Sequence, residues 1–282
     1  MMATSNSGAK PAVSGAFPTL EAPAHHESEA FRRRVPVVAT GWFLASILSA
    51  FAATNSATEA TTPLEYAIRV YSDSLKHYQK ESTNAETAWR YASACFELAE
   101  FSTNDTQRAT LAVEGINAMR TLLSAHPDCG PARYYLAMNL GQLARTKTLG
   151  ALPLVSEMER EFKRAIELDD LVDYGGPDRN LGQLYLRAPG WPASIGSHSK
   201  ARKRLERAAI IAPEYPGTRL LLLELYVTTR DKKGATRELA VLEQLMTTAR
   251  TNFSGVAWQS SWESWDERWQ TWKPKAVKLL AK

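Results

Sequence analysis

The side chains of this 282-residue chain able to do chemistry are few and dispersed. His25 and His26 fall in a segment poor in large apolar groups, and His77, His126 and His198 are scattered. His198 lies between Ser197 and Ser199, a pairing that could activate a hydroxyl nucleophile, but spacing places no acid beside it. Asp169, Asp170 and Asp173 form an acidic cluster of the kind that can bind calcium. They lack the EF-hand spacing and its closing glutamate, and Asp170 reads better as the residue closing a helix pair. No phosphate-binding glycine loop, zinc-protease motif or nucleophile elbow occurs. Cys95 and Cys129 have no metal-ligand spacing, and a bridge between them is permitted only in an exported chain. These residues predict a chain that is not an enzyme and that needs no cofactor, catalytic residue or metal.

Anion binding is the other chemistry to weigh, and carboxylate pairing within the fold stands slightly ahead of it. Two segments open with Gly-Pro-x-Arg, from Gly130 to Arg133 and from Gly176 to Arg179. Proline suits a first helical turn. Their arginines either pair with carboxylates of adjacent helices or project into a groove. In the groove reading, Arg133, Tyr134, Asn139, Arg179, Asn180, Arg187 and Trp191 form a ligand or partner surface. The net charge of +4 includes the block Arg32 to Arg34, and nothing else gathers cations into the stripe that nucleic acid requires.

The elements that must position these groups are helices in pairs. Leu222, Leu223 and Tyr226, followed by Ala235, Leu239 and Leu242, fit the tetratricopeptide pattern without a gap. Upstream, Leu181, Gly182 and Tyr185 supply a first half, and Ala201, Leu205, Ala208 and Pro213 a second, with seven extra residues between them. Leu136, Ala137 and Leu140 pair with Met158, Phe162 and Ala165. Trp89, Ala92, Ser93 and Phe96 lead to Gly115, Met119, Leu122 and Pro127. Small residues let the helices approach, large ones fill the gap, and proline ends the second helix. Such pairs bury their apolar faces only against neighbours, so they must stack. An amphipathic helix from about Pro63 to Lys80, with Leu64, Ile68, Tyr71, Leu75 and Tyr78 on one side, precedes them.

The expected fold is all-α: a tetratricopeptide-like helical-repeat solenoid with a C-terminal capping helix. The expected divisions are a disordered tail over 1–30, a signal peptide or membrane anchor over 31–53, the repeat domain over 61–250 and a Trp-rich cap over 251–282. Trp258, Trp262, Trp265, Trp269 and Trp272 recur every three or four residues, which puts five indoles on one helix face. That stripe covers the open end of the stack, forms an oligomer interface or a wall for apolar or sugar ligands, or seats at a membrane surface; the first fits a terminal unit of a solenoid best. Pro274 is expected to end or kink the helix. The uncharged, mostly apolar run from Val35 to Ala52 after the triple arginine reads as an export signal or an anchor.

The stretch from about Asp73 to Gln244, most strongly Gly175 to Tyr226, resembles the T-component of tripartite ATP-independent periplasmic (TRAP) transporters. The resemblance rests on Gly-Pro-x-Arg-x-Leu-Gly-x-Leu-Tyr, on Ala188-Pro189-Gly190-Trp191-Pro192, on Ser194-Ile195-Gly196, and on the Ala201 to Pro213 helix. It implies a periplasmic scaffold in the bacterial cell envelope, exported or anchored to the inner membrane through residues 35–52, and often trimeric. Its partner would be a solute-binding protein. The lipid-attachment cysteine of that family is absent, and the Trp-rich tail is an addition. The same stretch is more distantly similar to regulators of microtubule dynamics. The alternative is a generic adaptor whose groove holds a peptide or protein, with no transport role. The Pro-Gly-Trp-Pro insertion is expected to anchor Trp191 against a neighbouring helix.

Overall fold

A computed structural model describes residues 62–147 and 150–282. The tail over 1–30 and the segment over 31–53, with its arginine block and apolar run, lie outside the described residues. Ten helices follow one another among the described residues: α1 (Pro63–Lys80), α2 (Ala85–Glu100), α3 (Asp105–Ala125), α4 (Gly130–Arg145), α5 (Leu152–Leu168), α6 (Val172–Arg187), α7 (His198–Ile211), α8 (Pro216–Thr228), α9 (Lys232–Asn252) and α10 (Val256–Leu280). They stack as the pairs α2/α3, α4/α5, α6/α7 and α8/α9, flanked by α1 and α10. The fold is the all-α helical-repeat solenoid that the spacing predicts. None of these helices is long and apolar enough to cross a membrane.

The two helices of a pair bury themselves differently, and composition explains it. In α4 nearly every residue from Tyr134 to Gln142 is buried, because this helix is packed on both flanks. Its partner α5 fully buries only Met158, Phe162 and Ala165, a single stripe at helical spacing, flanked by the half-buried Leu154 and Ile166. Within α6/α7 the approach is set by Gly182: a Cβ there would sit 2.7 Å from Leu205 Cγ. Caps fix where helices begin. Thr62 and Glu65 form a reciprocal capping box on α1, while Asn84, Asn104, Ser197 and Asp231 accept first-turn amides of α2, α3, α7 and α9.

Three details depart from expectation. Leu64 and Ile68 are about half exposed, so only the lower part of the α1 stripe, Tyr71, Leu75 and Tyr78, packs on the core. Its face turns toward α2 from Ala67 onward. The 250/251 division falls within the last turn of α9, and the true break is Gly255, whose φ of +87° suits glycine. Pro274 neither ends α10 nor stops its packing. The helix runs on to Leu280, because Ala276 is fully buried and Leu279 and Leu280 pack against the main core. Those contacts offset the one ladder bond that proline removes.

The apolar interior divides in two. The larger cluster runs through α2 to α9, with α1 packed on it. The smaller one is aromatic and collects Tyr215, Phe253, Trp258, Trp262 and Trp265, with Tyr66, Tyr174, Trp269 and Trp272 against it. Helix α10 therefore touches α8 and α9 at one end of the stack and α1 at the other.

Candidate functional site

The polar residues of the predicted groove are brought together in part, but inside the protein. At the start of α6, Asp173, Tyr174 and Gly175 adopt positive φ in succession (51°, 52° and 71°). Only Gly175 does so without steric cost. This left-handed turn folds the backbone back onto Arg179, whose guanidinium donates to the Asp173 and Tyr174 carbonyls at 2.8 and 3.0 Å. It also donates to the Asp173 carboxylate at 2.6 Å and lies 4.4 Å from the centre of the Tyr215 ring. From α4, the Tyr134 hydroxyl donates to the same carboxylate, and the Asn180 amide donates to the Tyr134 oxygen at 2.8 Å. One anion, one cation and two neutral dipoles thus weld three successive pairs.

Burial governs the electrostatics of this cluster. Desolvation pushes the Asp173 carboxyl up to about 7, against the opposing pull of Arg179 and the Tyr134 hydrogen bond. Desolvation, with Asp173 beside it, holds the Tyr134 phenol well above its ordinary value. Asn139 is equally enclosed. Its amide donates to Ala92 O in the preceding pair and to Tyr135 O, and it presses on Gly115, where no side chain fits.

Tyr134, Asn139, Arg179 and Asn180 are each at most 2% exposed, so they do not line an open groove. The hydrogen bonds they do make join repeats, which is why polar residues occur at those positions. Arg133 is half-buried and pairs with Glu161 on α5 at 2.9 Å, as the carboxylate-pairing alternative requires. Arg187 and Trp191 remain at the surface. Arg187 grips Glu224 on α8 from the end of α6, and Arg268 on α10 donates to the same carboxylate at 3.0 Å. Sequence reasoning missed Glu224 and Arg268. Arg268 sits one residue before Trp269, off the indole stripe, and nothing local marks its partner.

Trp191 is not anchored against a helix. It is 89% exposed, the most exposed of the large hydrophobic side chains described. The loop that carries it is nonetheless ordered by its own bonds. Gly196 N–H donates to Pro189 O, Ala193 and Ser194 N–H donate to Gly190 O, and Ser197 N–H returns to Tyr185 O. The loop closes on itself at Gly190 and Gly196, where a Cβ on Gly196 would fall 2.1 Å from Ala188 O. That tight closure turns the indole outward.

The Trp stripe divides by depth. Trp258, Trp262 and Trp265 are buried, with Trp262 Nε1 donating to Phe253 O at 2.6 Å and edge-on contacts linking Tyr215, Phe253 and Trp265. Trp269 and Trp272 are half-buried, with Lys273 and Lys275 over their rings. The indoles cover the last pair, as a terminal helix does.

The other chemical groups are structurally occupied or exposed. Ser197 caps α7 through its hydroxyl, which accepts from Lys200 N–H, and His198 begins that helix at the surface. Asp170 pairs with Arg207 at 2.6 Å. Cys95 and Cys129 are free thiols, and burial pushes the Cys95 thiol well up, away from the reactive thiolate. Among the described residues no group of three or more His, Cys, Asp or Glu could hold a metal ion.

A family model described as "Regulator of microtubule dynamics protein 1-3" matches residues 53–171, less than half of the chain. That stretch stops short of the Trp191 loop. No curated protein matches the chain. Among solved structures, a thermophilic TPR protein in Thermus thermophilus is similar at 16% identity and a TM-score of 0.43, covering 73% of this chain and 97% of that one.

Proposed function

We propose that this chain is a non-enzymatic helical-repeat scaffold that engages a protein partner through the loop carrying Trp191. The observation that carries the reading is an indole 89% exposed on a loop closed by its own hydrogen bonds. Tryptophan is among the residues that dominate binding energy at interfaces. A preordered loop surrenders little conformational entropy on docking. Arg187, accessible at the end of α6, gives the site a charged edge. A photo-crosslinking amino acid at position 191 of the full chain tests this in the native cell. A discrete protein adduct at 191, absent with the crosslinker at the also exposed Ile210, is expected; equal patterns at both would refute it.

The finer reading is a T-component that pairs with a periplasmic solute-binding protein. It draws on the Pro189 to Pro192 and Ser194 to Gly196 motif and on the signal-like run over 35–52. Recovery of the chain in envelope fractions, with a solute-binding protein as the adduct, is its expected outcome; a purely cytosolic chain would contradict it. A second reading, a part in microtubule dynamics, is supported by the family match over residues 53–171. It predicts co-sedimentation of the full chain with polymerised tubulin, and no sedimentation above the tubulin-free control would exclude it.

A further inference from the structure

Helix α10 consists of two unequal halves. The first is fixed: Trp258, Trp262 and Trp265 are buried in the aromatic cluster. The second, from Arg268 onward, is a strap that crosses from α8 to α1. Its indoles are half-buried, and an interior proline removes one backbone bond from its ladder.

The charge at the strap's root is unbalanced. Glu224 is 3% exposed and is held by two guanidiniums, Arg187 and Arg268. Desolvation lowers the Arg268 pKa, and the nearby Arg187 charge opposes its protonation further, against the attraction of Glu224. When the strap leaves, Glu224 keeps Arg187, and a neutral pair replaces a cluster with one excess positive charge. No buried carboxylate is orphaned, so the usual penalty for breaking a buried ion pair does not arise.

The site under the strap is already shaped for a helix. It offers the carboxylate of Glu224, the Tyr66 side of the aromatic cluster, and the apolar seat that receives Leu279 and Leu280. Helix-in-groove recognition uses such anchors at helical spacing. We propose that the face of α8 and α1 beneath the second half of α10 is a docking groove for an amphipathic helix of a partner protein, which the strap occupies when no partner is present. The fitting partner helix carries two aromatic residues three apart and a leucine pair two turns later. Where this chain has Arg268 it carries a neutral hydrogen-bond donor such as glutamine, because that residue would satisfy Glu224 without adding the excess charge. This surface meets the Trp191 loop at Arg187, but the proposal does not rest on that loop's function.

The test uses the full chain and a fluorescent synthetic peptide of residues 264–282 carrying R268Q. Weakening the strap by Trp269→Ala together with Trp272→Ala is expected to tighten peptide binding about tenfold or more, since an occupied site taxes the apparent affinity. Equal binding to both proteins, or binding to neither, would overturn the proposal. Native-state hydrogen exchange on the unaltered chain gives a second reading that does not depend on a variant folding. Amides of 275–280 are expected to exchange through a local opening, at least tenfold faster than those of Trp258 to Trp265 after correction for intrinsic rates. A single common opening for both halves would overturn it as well.

Discussion

Replacing Arg179 by methionine probes the internal junction most sharply. Methionine keeps much of the side-chain length and removes the cation. Three donations end, to the Asp173 carboxylate and to the carbonyls of Asp173 and Tyr174, and the contact with Tyr215 is lost. Asp173 stays buried without its counter-ion. Breaking a buried pair from one side costs about 3–5 kcal/mol. For a domain of this size each kcal/mol moves the melting point by about 2–4 °C, so the fall should be roughly 6–20 °C. The cost also depends on pH. With Arg179 present, the Asp173 carboxyl ionises near 7; without it, burial is opposed by the Tyr134 hydrogen bond but no longer by a cation, and the group stays protonated further up the scale. The variant must therefore hold a proton that the parent has released, and its deficit should be larger at pH 8 than at pH 5.5. Adding Asp173→Asn removes the stranded carboxylate and should restore part of the loss at pH 8; asparagine tolerates the positive φ there. Urea unfolding of the full chain at both pH values measures the parent and both variants. A cost below about 1 kcal/mol at pH 8, or one that does not change with pH, would refute this account of the junction.

Asp173 also shapes the pH profile of the unaltered chain. Its carboxyl is raised in the folded state, so its stabilising contribution is complete below the ordinary carboxylate range and is lost as pH rises toward 7. Asp173→Asn alone should therefore flatten the decline between pH 5 and 7 relative to the parent, which parallel urea titrations would show. Gly182→Ala should cost about 1–3 kcal/mol, because its Cβ meets Leu205 and the α6/α7 pair must part to admit it. Calorimetry on Trp265→Ala should show a loss of about 3–5 kcal/mol, against little change for Trp191→Ala, since only the first is buried.

The helix pairs were legible because their signal is local. Gly182, Tyr185, Ala201 and Leu205 fall at fixed offsets, and the structure places them at the contact that those offsets demand. Pro63 with Thr62 marked the start of α1 for the same reason. The interior polar residues were misplaced because sequence gives their chemistry without their depth. Tyr134, Arg179 and Asn180 look like ligand-binding groups, and only the left-handed turn at Asp173 to Gly175 turns them into a joint between repeats. Asp173 was visible as an acid, but its counter-ion lies across a reversal of the chain that spacing does not reveal. Trp191 was misplaced in the opposite sense. An indole usually finds cover, and here the closure of Gly190 against Gly196 leaves none within reach.

The central claim is that Trp191 serves contact with a partner and not the fold. The affinity of the Trp191→Ala chain for the protein captured at position 191 tests this most directly. The account predicts a loss of at least about 2 kcal/mol, roughly thirtyfold, with the melting point unchanged. An affinity within twofold of the parent would contradict it.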